Sequence, residues 1–279
     1  MGTNKHYDGL NGSDGVHVDA DCKPRCAFDF NNDAAYGFGW DTEVWFGWSI
    51  YLPRSWQHET FRTGQTSNGP MMMTINPSTA SATHMTLNLI VPTAGQNWRN
   101  ASNGNLVSAT NETHWCIIHN LDPSSTTESG ATPTKVSLGS IVPDMGKWTD
   151  LVFRLRFNPF AVAPGAPVNG YTMRGNTGLI HIWKSTGAVD GNGNRTISEA
   201  NPTYQFNGPC GLRPHPSNKL TFSSRVYMFG LNSTITTTSR THPLWAGIDE
   251  MRWGFAEGSN VGTWQSGAAT GFDDVVPNS

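Results

Sequence analysis

Segments in which apolar and polar residues alternate with a period of two recur along this chain, and no long segment keeps the period of a helix. Successive side chains on a strand point to opposite faces, so each alternating run defines one apolar and one polar face. In TEVWFGWSIYL (42–52), Val44, Phe46, Trp48, Ile50 and Leu52 share one face, and Glu43, Trp45, Gly47, Ser49 and Tyr51 share the other. In HMTLNLIV (84–91), Met85, Leu87, Leu89 and Val91 oppose His84, Thr86 and Asn88. In WTDLVFRLRF (148–157), Leu151, Phe153, Leu155 and Phe157 oppose Asp150, Arg154 and Arg156. Further strands are predicted over 71–75, 113–119, 178–185, 219–231 and 247–255, each bounded by Gly, Pro, Asn or Ser clusters. Many such strands predict an all-β sandwich or barrel. The connections 53–70, 92–112, 120–147, 186–218 and 232–244 are long, as loops that carry function often are. No composition break marks a linker, so residues 21–279 are expected to form one domain behind an irregular lead-in over 1–20.

Charge narrows the partners. Only 14% of the 279 residues are charged, against roughly 25% in an average soluble protein. The net charge of −3 argues against a broad electrostatic footprint for nucleic acid. Eleven tryptophans suit either sugar-stacking platforms or bulky core positions. No apolar run is long enough to span a membrane, and the polar opening MGTNKHYDGLNGSDG has no apolar leader core. The expected location is extracellular, at a cell surface or on a virion.

The four cysteines are Cys22, Cys26, Cys116 and Cys210. Cys22 and Cys26 fit a local disulfide or two free thiols, and Cys116 reads as core. No spacing completes a zinc site. DGNGNRTISEAN, from Asp190, matches a calcium loop at its first, third and fifth positions but has Arg195 and Asn201 where Gly and Glu are required. A plain turn is expected there, with structural calcium as the alternative, and no other cofactor is expected. Phosphate-binding loops, a nucleophile elbow and a two-histidine zinc helix are absent from the sequence. Asp249 and Glu250 are adjacent and point to opposite faces, so they cannot form the facing carboxylate pair, about 5 Å apart, of a retaining glycosidase.

The order of motifs carries more than any one of them. An aromatic strand ending in SIYLPRSW precedes a loop with Gln65; GKWTDLVFRLRF, GLIHIWKSTG and GIDEMRWG follow in turn. Over residues 22–255 this order resembles the polysaccharide lyase family that includes heparin lyase I and glucuronan lyase. The resemblance implies a jelly roll of the concanavalin A-like type and β-elimination on a uronic-acid polymer. It places Gln65 at the Gln of the family's Gln-Trp-His tripeptide, where this chain reads Gln65-Thr66-Ser67. Arg25 matches the Arg of an Arg-Ser-Glu motif whose Glu is absent here. In SSRVYMFGLN, either Tyr227 matches the family's Tyr and Arg225 replaces its Gly, or Gly230 matches that Gly and Asn232 replaces the Tyr.

Such chemistry needs one group to neutralise the sugar carboxylate, a base, and an acid for the leaving oxygen. The candidates for these roles are Gln65, His84, Arg225 and Tyr227. Arg25, Trp45, Ser49, Tyr51, Asn88, Arg154, Arg156 and Lys184 are the expected polysaccharide-binding residues. In this reading Trp45, Ser49 and Tyr51 floor an open trough. The alternative at Trp45 is a second small core beneath a loop; Arg154 and Arg156 are either a basic wall or ordinary edge residues; His84 is either a base or a hydrogen-bonded structural residue. The sequence therefore supports a lyase-like protein acting on an acidic polysaccharide, or a non-catalytic glycan-binding or virion surface protein on the same scaffold, such as a phage decoration or adsorption protein.

Overall fold

The computed structural model describes residues 25–29, 41–54, 70–77, 83–122, 132–168, 171–173, 175–185, 196–212, 220–228, 246–255 and 272–277. Its strands in chain order are β1 Arg25–Asp29, β2 Val44–Tyr51, β3 Pro70–Pro77, β4 Met85–Ile90, β5 Arg99–Asn100, β6 His114–Asp122, β7 Thr132–Ser140 and β8 Trp148–Arg156. They continue with β9 Pro167–Val168, β10 Tyr171–Thr172, β11 Leu179–Lys184, β12 Tyr204–Asn207, β13 Gly211–Leu212, β14 Leu220–Met228 and β15 Gly247–Phe255. One short helix, α1 (Phe272–Val275), follows.

Two sheets carry the architecture. The larger has eight strands in the order β1-β14-β3-β4-β6-β7-β5, with β13 added beside β6. The smaller has five, in the order β12-β11-β8-β2-β15. The apolar faces read from the sequence meet in one cluster between them. Val44, Phe46, Trp48, Ile50, Leu151, Phe153, Leu155, Ile180 and Ile182 come from the small sheet; Met73, Ile75, Met85, Leu87, Leu89, Trp115, Ile117, Val136 and Leu138 come from the large one. Each large apolar side chain removed from water contributes about 1.5–3 kcal/mol, which makes this shared layer the main source of stability. The fold is an all-β sandwich.

The long connections hold more structure than alternation revealed. β5 lies within 92–112, β7 within 120–147, and β12 and β13 within 186–218. β7 reads TPTKVSLGS, too polar to stand out, and becomes a strand because β6 pairs with it from Leu121↔Thr132 to His114↔Ser140. Residues 190–195 of the calcium-like stretch, Cys22, Cys26 and Gln65 lie outside the described residues. No described helix is long and apolar enough to cross a membrane.

Candidate functional site

The sandwich divides the expected site residues between two outer faces that point away from each other. Trp45, Ser49, Tyr51, Arg154 and Arg156 lie on the outer face of the five-stranded sheet, where Trp45 pairs with Arg154 and Ser49 with Asp150. Asn88 lies on the outer face of the eight-stranded sheet, in register with Met71 and Cys116. No single trough holds both groups.

On the small sheet the open trough is replaced by a second core, the alternative reading of Trp45. Trp45 is 4% exposed and packs with Val152, Trp183, Phe272 and Val275. Helix α1 comes so close that a Cβ on Gly47 would run into the Val275 and Leu151 carbonyl oxygens. Glycine is the residue that permits this approach. Ser49 is buried and donates its hydroxyl to Asp150 Oδ1 at 2.5 Å, so it is turned to a protein partner and not to a ligand. Tyr51 is half-buried and its ring meets that of Trp148 at 5.5 Å.

The arginines form no basic wall. Arg154 Nε donates to Glu43 Oε1 at 2.7 Å, and its guanidinium lies over the Trp45 ring at 5.3 Å. Arg156 pairs with Glu43 Oε2 at 3.4 Å and Asp41 Oδ1 at 3.9 Å, and donates to the Thr177 carbonyl at 3.2 Å. Two carboxylates thus offset two guanidinium groups. Lys184 is likewise not an outward residue. Its register partner is Leu151, a core residue, and its ammonium lies 2.7 Å from Asp144 Oδ2, which also accepts Trp115 Nε1–H at 2.8 Å.

His84 is the structural histidine of the two readings, not an available base. It is 1% exposed. Its Nδ1 accepts the Leu212 amide at 3.0 Å, which places the proton of the neutral ring on Nε2. Desolvation lowers its pKa to about 3. A ring whose acceptor nitrogen is already engaged and whose surroundings penalise charge is poorly suited to accept a proton. His119, on the inner side of β6, is similar: burial lowers its pKa to about 4, and its Nε2 meets Tyr204 Oη at 3.0 Å across the gap between the sheets.

The remaining expected residues lie on the polar face of the eight-stranded sheet, where Thr74, Thr86 and Asn88 are buried. Arg25 pairs with Tyr227, Tyr227 with Met71, Met71 with Asn88 and Asn88 with Cys116. Residues paired across a ladder share a face, so these positions form one row across the strands. Arg225 lies one step along β14, opposite Ala27. The neighbouring row places Asp29, Ser223, Thr74 and Thr86 together. Asn88 Nδ2 donates to Thr86 Oγ1 at 2.6 Å, while Asn88 Oδ1 is buried with no hydrogen-bond partner.

The sequence reading missed His114, which alternation in THWCIIH places on this same outer face with Cys116 and Ile118. It is half-buried, burial lowers its pKa, and its Nδ1 lies 2.8 Å from Ser137 Oγ. Cys116 is buried as expected, but in a small outer cluster with Ile90 and Trp98 and not in the main core. Among the described residues no group of three or more His, Cys, Asp or Glu is placed to hold a metal ion.

Solved polysaccharide lyases are similar to this chain. An endo-β-1,4-glucuronan lyase from the fungus Trichoderma reesei aligns at 11% identity over 90% of this chain and 93% of its own, with a TM-score of 0.46. A family 7 alginate lyase aligns at 8% identity over 87% and 82%, with a TM-score of 0.29. An alginate lyase from a Chlorella virus aligns at 13% identity over 68% and 71%, with a TM-score of 0.25. No protein-family model and no curated protein sequence matches.

Proposed function

We propose that the chain binds an acidic polysaccharide across the outer face of its eight-stranded sheet and cleaves it by β-elimination. The observation that carries this reading is the register: Arg25 directly opposite Tyr227, with Asn88 two strands further along the same row. A uronate contributes a carboxylate, an acidified C–H beside it, and a sugar leaving group at C4. Arg25 pairs with the carboxylate and stabilises the negative charge that develops as the C5 proton leaves. Tyr227, as phenolate, takes that proton. The C5–H electrons become the C4–C5 double bond, the C4–O bond breaks, and the same phenol returns the proton to the departing oxygen. Gln65, which the family resemblance places at the Gln of the Gln-Trp-His tripeptide, belongs to the same proposal.

A second reading is a glycan-binding protein without chemistry, including a surface or virion protein of that kind. The locked ring of His84 favours it, because the histidine first expected to serve as base is spent on the Leu212 amide. Incubation with polyglucuronate, polymannuronate and polyguluronate, followed at the ultraviolet band of the unsaturated product, separates the two. The lyase reading expects that band to grow and expects Tyr227→Phe to abolish it while leaving polymer binding intact. Binding without any growth of the band supports the binder.

A further inference from the structure

The outer face of the five-stranded sheet is not covered along its whole length. Helix α1 lies against Gly47, and Tyr51 is four residues further along β2, roughly 13 Å at the rise of an extended chain. There the side chains return to the surface. Tyr51 and Trp148 are register partners, both are half-buried, and their rings meet at 5.5 Å with planes 57° apart. Gly247 pairs with Tyr51 from the other side. A Cβ on Gly247 would stand 2.9 Å from Trp148 Cη2 and 3.2 Å from Tyr51 Cβ. The indole therefore reaches back from β8 across β2 and rests on the bare backbone of β15. Glycine is the residue that permits so close an approach.

The charges at this end of the sheet differ from those elsewhere on it. Arg154, Arg156 and Lys184 each lie beside a carboxylate. Arg54 and Lys147 are exposed, and neither makes an ion pair among the described residues. Arg54 follows the end of β2 and lays its side chain over Gly146, where a Cβ would meet Arg54 Nε at 2.6 Å. Gly146 in turn donates its amide to the Leu52 carbonyl at 2.7 Å. Lys147 directly precedes Trp148. Two unpaired cations thus stand at the same end of β2 and β8 as the aromatic pair, in a chain whose net charge is −3.

We propose that this end of the five-stranded sheet is a second polysaccharide-binding site, and that it takes an acidic sugar chain. An indole held against the sheet offers one apolar plane, which fits the C–H face of a pyranose. Arg54 and Lys147 supply the charge with which a uronate carboxylate pairs. A neutral glycan would use the ring and leave both cations idle. Single-stranded nucleic acid calls for a row of rings along a basic groove, whereas the described residues offer one pair of rings and two cations. The outer faces of the two sheets point apart, so polymer held here does not compete with a stretch bound on the other face. The inference stands whether or not the eight-stranded sheet carries out chemistry.

The test is retardation of the full chain in gels containing polyglucuronate, polymannuronate, polyguluronate or a neutral β-glucan of matched length, with thermal unfolding of each variant alongside. Trp148→Ala is expected to weaken retention by the acidic polymers about tenfold, and Gly247→Ala to weaken it by lifting the ring. Arg54→Gln combined with Lys147→Gln changes two exposed side chains only, so it decides the matter even where Trp148→Ala fails to fold. That double variant is expected to weaken retention about fivefold and to flatten its dependence on salt. A stably folded Trp148→Ala that is retained like the parent overturns the site and leaves the lyase reading standing. Retention that is as strong on the neutral glucan, or that is unchanged when both cations are removed, also overturns the proposal, as does a preference for single-stranded DNA over every uronate. Retention that depends on Trp148 without any unsaturated product keeps this site and removes the lyase reading. Absence of retention by every acidic polymer overturns both.

Discussion

The indole of Trp45 stacks on that of Trp183, with ring centroids 5.7 Å apart and planes 20° from parallel. Phe272 of α1 meets Trp183 edge-on at 5.3 Å and closes the cluster from outside. An aromatic pair that could have floored a sugar trough is instead packed under the chain's own C-terminal helix. Trp45→Ala is accordingly expected to lower stability by about 3–5 kcal/mol, as a buried aromatic truncation does. Denaturant unfolding measures it. A variant of unchanged stability that had lost glycan affinity would restore Trp45 as a sugar platform.

Gly47 makes the same cluster testable from the other side. Its missing Cβ is what lets the Val275 carbonyl sit against β2. Gly47→Ala is expected to push α1 outward, cost about 1–3 kcal/mol by overpacking, and shift tryptophan emission toward the red as Trp45 and Trp183 meet water. Emission and stability matching the parent protein would mean that α1 does not cap this sheet.

The Lys184–Asp144 pair ties β11 to the turn that joins β7 to β8, its side chains 10% and 1% exposed. Removing one partner of a buried pair leaves the other charge uncompensated, which costs about 3–5 kcal/mol. Lys184→Met should show that loss. Adding Asp144→Asn should recover part of it, because the amide oxygen still accepts the Trp115 indole N–H while no carboxylate is left buried. A double-mutant cycle in urea reads the coupling; independent, additive losses would refute it.

His84 and His119 give stability a definite pH dependence. Their folded pKa values lie at about 3 and about 4 because burial penalises the charged ring, below the ordinary value of 6.5. Between those limits the unfolded chain binds protons that the folded one does not, so stability is fully present above pH 6.5 and falls as the pH drops. Each histidine contributes a slope of about 1.4 kcal/mol per pH unit where the difference is complete. His84→Asn places an acceptor oxygen near the position of Nδ1, retains the Leu212 contact, and is expected to reduce the slope by about one proton. Urea unfolding at a series of pH values between 4.5 and 6.5 measures it, and an unchanged slope would exclude His84 as the source.

Much of the fold was legible in the chain. The inward sets Met85, Leu87 and Leu89, or Leu151, Phe153 and Leu155, are core residues as alternation predicted. β7 was not legible, because a strand covered on one side by a partner's side chains need not itself be apolar. Lys184 was misplaced because it sits at a strand end, where an inward position can reach a buried carboxylate on the turn between β7 and β8. Asn88, Tyr227 and Arg25 could each be placed on a polar strand face, but nothing local indicated that they share one row.

Which side of each strand turns inward is a local property, set by the two-residue repeat of the extended backbone, and the sequence by itself determined it. Which strands become neighbours depends on contacts between residues far apart in the chain, such as Ser49 with Asp150, 101 positions away. Only the tertiary structure decided that the Trp45 face and the Asn88 face look in opposite directions, that α1 covers the first, and that Trp98 packs with Ile90 and Cys116 on the second. Parity along a strand has no memory of the sheet the strand joins; strand pairing and shared core volume choose that sheet, and with it the face on which a polar residue meets its ligand.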